Sequence, residues 1–205
     1  MPDVLPISDA VARSRWLPGD ILAFYGQGWQ SRLIELATWG PSHVGIICEW
    51  PFAAKSGGYE LENVLVESTT LCPRPCQETG RYVNGVQVQL PRSRIDDYHG
   101  RARLYRLADH WALNQEDSDH LSELLSRWIG KPYDFRGALW SGTRVLKYLP
   151  RMPYSDLGSL FCSELIAACL QRLGRLCVTN AGYFNPGSLV RSLVKSGVYL
   201  PGVAV

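Results

Sequence analysis

The sequence predicts a single α+β domain, and three observations predict it. Apolar runs of strand character crowd the first half. Helical periodicity takes over from about residue 117. No internal repeat, low-complexity tract or linker divides the 205 residues. A chain of this length builds a sizeable core as one domain without disulfide staples.

Taken in order, "GDILAFY" (19–25) follows Pro18 as a short apolar run and reads as a strand. "SRLIELATWG" (31–40) has helical spacing and closes on a glycine. "SHVGIICEW" (42–50) is apolar and β-branched, the pattern of a buried strand. The Gly-rich turn "AKSGGYE" leads into "NVLVEST" (63–69), a strand expected to pair antiparallel with it. "RYVNGVQVQL" and "ARLYRL" extend the β-rich part. "EDSDHLSELLSRWIG" then sets Leu121, Leu124, Leu125 and Trp128 on one helical face, with an Asp or Ser N-cap and Gly130 as its stop. "SDLGSLFCSELIAACLQRLG" (155–174) repeats the pattern with Phe161, Leu165, Ile166, Cys169, Leu170 and Leu173. Ser159 is its expected N-cap and Gly174 its stop. "NPGSLVRSLVKSG" makes a last short amphipathic helix.

Composition removes several function classes. A net charge of +2 is too near balance to mark a nucleic-acid binder, and no nucleic-acid motif stands out. The N-terminus lacks the basic start and apolar core of a secretory signal, which predicts a cytoplasmic location unless another component delivers the chain. No apolar run approaches the roughly 18 residues of a membrane span, so no integral membrane segment is expected. Six cysteines in such a chain read as free thiols rather than a disulfide framework. Cys72 and Cys76 bracket "CPRPC", half of a metal site by spacing. No second pair or nearby histidine completes it, so neither metal nor cofactor is expected.

The first turn of the 155–174 helix carries Cys162, Ser163 and Glu164 together. A thiol there sits near the positive end of the helix dipole and its unpaired N–H groups, which favour a thiolate and can hold an oxyanion. The alternative is packing, because free cysteine also behaves as a small buried hydrophobe. A nucleophilic thiol needs a histidine. His99 and His110 lie in polar, loop-like sequence, and His120 belongs to the wet face of its helix. His43 instead opens a buried strand just before Val44-Gly45, where the glycine lets another segment approach. Glu67 interrupts an apolar run near the end of the partner strand, so antiparallel pairing brings it near His43 and lets it fix the imidazole. A strand-edge histidine and a solvent-facing glutamate are the other readings, and the register is not legible here.

The ordered segments "PGDILAF", "SHVGII", "VLVEST", "GKPYD" and "LFCSELIA" resemble the YiiX-like branch of the NlpC-type papain-like superfamily. Its members are circularly permuted relatives of cell-wall cysteine peptidases. The resemblance runs from about Pro18 to Leu173, and "FCSEL" with an upstream "SHVGI" is its specific part. In ordinary members the cysteine precedes the histidine, whereas His43 precedes Cys162 here, as in the permuted branch. The resemblance implies a papain-like α+β fold, with a small antiparallel β-barrel or curved sheet carrying His43 and Glu67 against the helix that starts at Cys162. It implies Cys162 as nucleophile, His43 as base and Glu67 as the orienting residue. Tyr133 in "GKPYD" also falls on a motif and is read as a pocket wall. Ser42 and Ser163, beside His43 and Cys162, complete the substrate-binding candidates.

The domain is expected to span 1–205, with its core at about 18–175. Two stretches depart from the simplest relatives. One is a Pro- and Gly-rich insert at about 72–94. The other, at about 138–154, mixes Trp140, Leu146, Tyr148 and Met152 with Arg144, Lys147 and Arg151. That mixture suits a lid over the cleft, a patch in peripheral contact with an anionic membrane surface, or an amphipathic helix covering the core. Arg92, Arg94, Arg101, Arg103 and Arg106 could attract carboxylates or phosphates, but Asp96 and Asp97 dilute the cluster, and it reads as a solvated strand face. The function expected is a cysteine hydrolase cleaving an amide bond in cell-wall peptides. The alternatives are a thioesterase or acyltransferase acting on an acyl lipid at the same site, and an inert binding module.

Overall fold

Among the described residues, strands from the first part of the chain and one short strand at 203–204 form one open, six-stranded antiparallel sheet rather than a closed barrel. The computed structural model describes residues 16–26, 39–53, 59–70, 72–133, 161–178 and 180–205. The strands are β1 (Ile21–Gly26), β2 (His43–Ala53), β3 (Tyr59–Thr69), β4 (Gly85–Gln89), β5 (Gly100–Tyr105) and β6 (Val203–Ala204), in the spatial order β4-β3-β2-β1-β5-β6. The helices are α1 (Pro91–Asp96), α2 (Gln115–Ser126), α3 (Cys162–Arg172) and α4 (Pro186–Lys195). No described helix is long and apolar enough to cross a membrane. The helix expected at 31–40 and the lid or patch at 138–154 lie largely or wholly outside the described residues.

Successive strand residues face opposite sides of the sheet. Ile21, Val44, Ile46, Val64, Val66, Val86 and Val88 go to one side. There they join Leu121 and Leu125 of α2, Leu165, Ile166 and Cys169 of α3, and Leu189 and Leu193 of α4 in the main core. Leu22, Phe24, Ile47, Leu65 and Leu104 go to the other side and pack with Ile95 and Tyr98, which α1 and the turn after it supply. The expected β2–β3 pairing is present, with Gly45 opposite Glu67 and Ile47 opposite Leu65.

Helix ends follow capping chemistry, not always at the expected residue. Asn114, rather than an Asp or Ser, caps α2 by accepting the Asp117 N–H at 2.8 Å. Phe161 stands at the N-cap of α3 with no side-chain cap, and the expected Ser159 lies outside the described residues. Gly174 follows the end of α3 at φ +68°, a left-handed position that glycine adopts without a Cβ penalty. Asn185 and Ser188 form a reciprocal capping box at the start of α4, with Pro186 in its first turn.

The arginine-rich stretch after β4 is a correction to the sequence reading. Arg101 and Arg103 do lie exposed on β5, but Arg92 and Arg94 are on no strand: residues 91–96 form α1, which Pro91 starts with its fixed φ. The supposed insert at 72–94 carries β4 itself. Its turn folds back so that Gln77 N–H donates to the Val88 carbonyl at 2.9 Å. Cys76 is buried in the main core, where its Sγ accepts the Val88 N–H at 3.3 Å. The segment after α2 then runs along β4: Val86 N–H donates to Lys131 O at 2.9 Å, and Gly130 N–H to Val86 O at 2.8 Å.

That close approach dictates one residue. A Cβ on Gly85 would stand 1.9 Å from the Lys131 carbonyl oxygen, a backbone atom that cannot swing aside. We expect Gly85→Ala to destabilise the fold by about 3 kcal/mol in urea denaturation. Gly80, whose Cβ position is open, provides the control. Gly80→Ala carries only the positive-φ penalty of about 1 kcal/mol. Equal losses in the two variants would contradict the contact.

Candidate active site

The strand register builds the first half of the site. Gly45 lies opposite Glu67, and His43, two residues earlier, shares its sheet face, so imidazole and carboxylate are diagonal neighbours. Gly45 keeps the space between them open: a Cβ there would meet Leu65 Cδ1 at 2.6 Å and Glu67 Cβ at 3.2 Å. His43 Nε2 reaches Glu67 Oε2 at 2.6 Å, with the carboxylate fully buried and the ring 13% exposed. The other carboxylate oxygen, Oε1, accepts from Arg94 Nε at 2.8 Å and from Gln87 Nε2 at 3.3 Å. Gln87 is the direct partner of Glu67 across the β3–β4 ladder.

Aromatic rings enclose these charges. Phe24 pairs with His43 across β1 and β2, and the two rings stack with centroids 5.7 Å apart and planes at 30°. The Arg94 guanidinium lies 5.0 Å from the Phe24 centroid and 5.3 Å from that of Tyr98, in cation–π geometry. Ser42 supports this layer. Its hydroxyl donates to Phe24 O at 3.2 Å and lies 3.4 Å from the Tyr98 hydroxyl.

The second half comes from α3. Cys162 opens that helix, is 3% exposed, and stands close enough to the His43 ring to raise its pKa. With Nε2 engaged by Glu67, Nδ1 is the ring nitrogen left to face the thiol. Phe161 offers no side-chain acceptor at the N-cap, so a cap does not consume the first-turn N–H groups. Ser163 is fully buried, and its hydroxyl donates to Phe184 O at 2.6 Å, fastening the start of α3 to the approach of α4. Tyr133 sits beside the edge strand β4, its N–H donating to Asn84 O at 3.2 Å. The structure therefore brings Cys162, His43 and Glu67 together, sets Ser42 behind them, and commits the Ser163 hydroxyl to the fold. His99, His110 and His120 are all exposed.

Charge follows from this geometry. Burial works to lower the pKa of His43, but Cys162 first and Glu67 second outweigh it and hold the imidazole at about 9. Burial works to raise Glu67, but the hydrogen bond and charge of His43, followed by Arg94, bring it to about 2. Burial pushes Cys169 up to about 12 and raises Cys48 and Cys72 as well. Cys169 shares a helix with Cys162 but has no base beside it.

Two partners of Glu67 escaped the sequence reading. Gln87 left a signal, since "VQVQ" places it on the alternate face from Val86 and Val88, in line with Glu67 across the ladder. Arg94 left none, because its position depends on a helix hidden in a charged stretch. Among the described residues no group of three or more His, Cys, Asp or Glu could hold a metal ion. Both oxygens of Glu67 are already bonded, one of them to a guanidinium.

No family model and no curated protein matches the sequence. A solved structure shares the fold. The metalloprotein YiiX from Escherichia coli O157:H7 is similar at a TM-score of 0.52 and 18% identity, over 93% of this chain and 89% of that one.

The two shifts define a stability window. Glu67, lowered from 4.5 to about 2, contributes stability that is present above pH 4.5 and lost as pH falls toward 2. His43, raised from 6.5 to about 9, contributes stability that is present below pH 6.5 and lost as pH rises toward 9. Denaturation midpoints should therefore be highest between pH 4.5 and 6.5 for this pair. Glu67→Gln should flatten both declines and, by leaving Arg94 buried and unpaired, cost about 3 kcal/mol at pH 5.5. An unchanged pH profile in that variant would rule out the pairing as its source.

Proposed function

We propose that this chain is a cysteine-dependent hydrolase of the permuted, NlpC-type papain-like kind, cleaving an amide bond in cell-wall peptides. The observation that carries the reading is a thiol at a helix start within reach of an imidazole whose far nitrogen is held by a buried carboxylate. The chain order, His43 before Cys162, and the fold shared with YiiX support the permuted assignment.

The chemistry follows from the positions of the groups. Cys162 passes its proton to His43 Nδ1, and the sulfur attacks the amide carbon to form a C–S bond. The oxyanion lies against the Cys162 N–H at the positive end of α3. His43, as imidazolium, gives its proton to the leaving amine while the C–N bond breaks, leaving a thioester. Glu67 keeps Nε2 protonated and the ring oriented throughout. Water then attacks the thioester as His43 takes its proton, and the carboxylic acid departs as the proton returns to sulfur. YiiX is a metalloprotein, but the donors here do not fit a metal ion. Glu67 is saturated by His43, Gln87 and Arg94, and a guanidinium already occupies the place of a second cation. No step above needs one.

The lipid alternative drew on the basic aromatic stretch at 138–154, which lies outside the described residues. The described residues therefore add nothing in its favour. Cys162→Ala should lower muropeptide turnover by at least about a thousandfold while leaving the circular dichroism spectrum intact. Cleavage by that variant at the parent rate would end the proposal. Mass spectrometry after incubation with muropeptides or with phospholipid vesicles separates the substrates. An acyl adduct on Cys162 is expected with muropeptide, and one formed only with vesicles would transfer the reading to lipid.

A further inference from the structure

Arg94 has no place in the reaction just described, yet it is among the most buried charges in the molecule. Its side chain is 5% exposed, and it donates to a fully buried Glu67. A cation in that position needs a reason, because removing it from water is costly and a surface ion pair would serve the helix as well. The packing around it is specific. The guanidinium lies over both the Phe24 and Tyr98 rings, whose own centroids are 4.8 Å apart, and Phe24 in turn stacks on His43. The two carboxylate oxygens are divided, Oε2 to the imidazole and Oε1 to Arg94 with Gln87. Neither oxygen can rotate away from its partner without breaking the other bond.

We propose that Arg94 is a positioning residue of the site: it balances and locks Glu67, and so sets how strongly Glu67 holds the proton on His43. Resting on the hydrolase reading, this sets the site groups in a row: the Cys162 thiol, the His43 imidazole, the Glu67 carboxylate and the Arg94 guanidinium. A lone buried carboxylate would hold the imidazolium too tightly to release a proton to the leaving amine. The cation behind it weakens that grip while keeping the carboxylate ionised. Each packed element contributes named groups to this field. α3 supplies Cys162, β3 supplies Glu67, β4 supplies Gln87, and α1 with its following turn supplies Arg94 and Tyr98. Cys72, on the loop after β3, faces Glu67 and Arg94.

The test is the titration of the His43 ring followed by nitrogen-15 NMR, which needs no substrate. The parent midpoint is expected near 9. Arg94→Gln retains a donor for Glu67 but removes the charge, and should raise the midpoint by about one unit. Arg94→Lys retains the charge and should leave it in place. Glu67→Gln should lower it, the opposite sign. An Arg94→Gln midpoint equal to the parent value overturns the inference. If Arg94→Gln does not fold, the double variant Glu67→Gln/Arg94→Gln is compared with Glu67→Gln alone. A higher midpoint in the double variant supports the role, and an equal one overturns it. The hydrolase reading fails separately: Cys162→Ala should lower the His43 midpoint, and no change there removes the thiol–imidazole pair whatever Arg94 does.

Discussion

A carboxylate wholly shielded from water sits near the end of β3, and its burial sets terms that the surrounding elements must meet. An unpaired carboxylate in such a place costs several kcal/mol, so donors have to converge on it. His43 comes from β2, Gln87 from β4 and Arg94 from α1. Those contacts couple three adjacent strands and a short helix at one sheet end. An apolar cluster of the same volume could stabilise the fold equally well. What the ionic cluster adds is orientation, because a carboxylate bonded on both oxygens cannot turn, and neither can the ring it holds.

The Cys162 thiol depends on a different kind of constraint. Every residue from Cys162 to Leu170 is buried, so α3 is packed on all sides over its first two and a half turns rather than along one stripe. Its start is fixed by β2 and β3 beneath it and by the Ser163 bond to Phe184. The thiol is therefore held by a packed helix and the imidazole by the sheet. Loops carry neither group, which suits a geometry that must hold within a fraction of an ångström.

Much of this was legible from residues. β-branched runs gave the inner strands, three-four spacing gave α2, α3 and α4, and "SHVG" with "VLVES" gave the pairing that unites His43 and Glu67. Helix starts were less legible. Asn114 lies two residues before the run that predicts the helix, and a phenylalanine N-cap has no sequence signal. α1 was lost because its arginines make no apolar helical stripe and read instead as part of a solvated strand face. With α1 went Arg94, since a charge becomes a site residue only through the tertiary contacts that bury it. Ser163 illustrates the reverse: a polar residue beside the thiol invites a substrate role, yet its hydroxyl serves the packing of α3.

His43 and Glu67 are 24 residues apart and meet through adjacent antiparallel strands. Cys162 lies roughly a hundred residues beyond them, and it can approach the ring only after β4, α1, β5 and α2 have been made. Loop closure disfavours such distant contacts early and rewards near ones. As the chain emerges from the ribosome, the proton-handling half is complete while the sulfur still has no base beside it. Docking of α3 then joins the two halves in the closing stage of folding. The order of segments along the chain thus acts as a delay, keeping the imidazole–carboxylate pair and the thiol apart until α3 is in place.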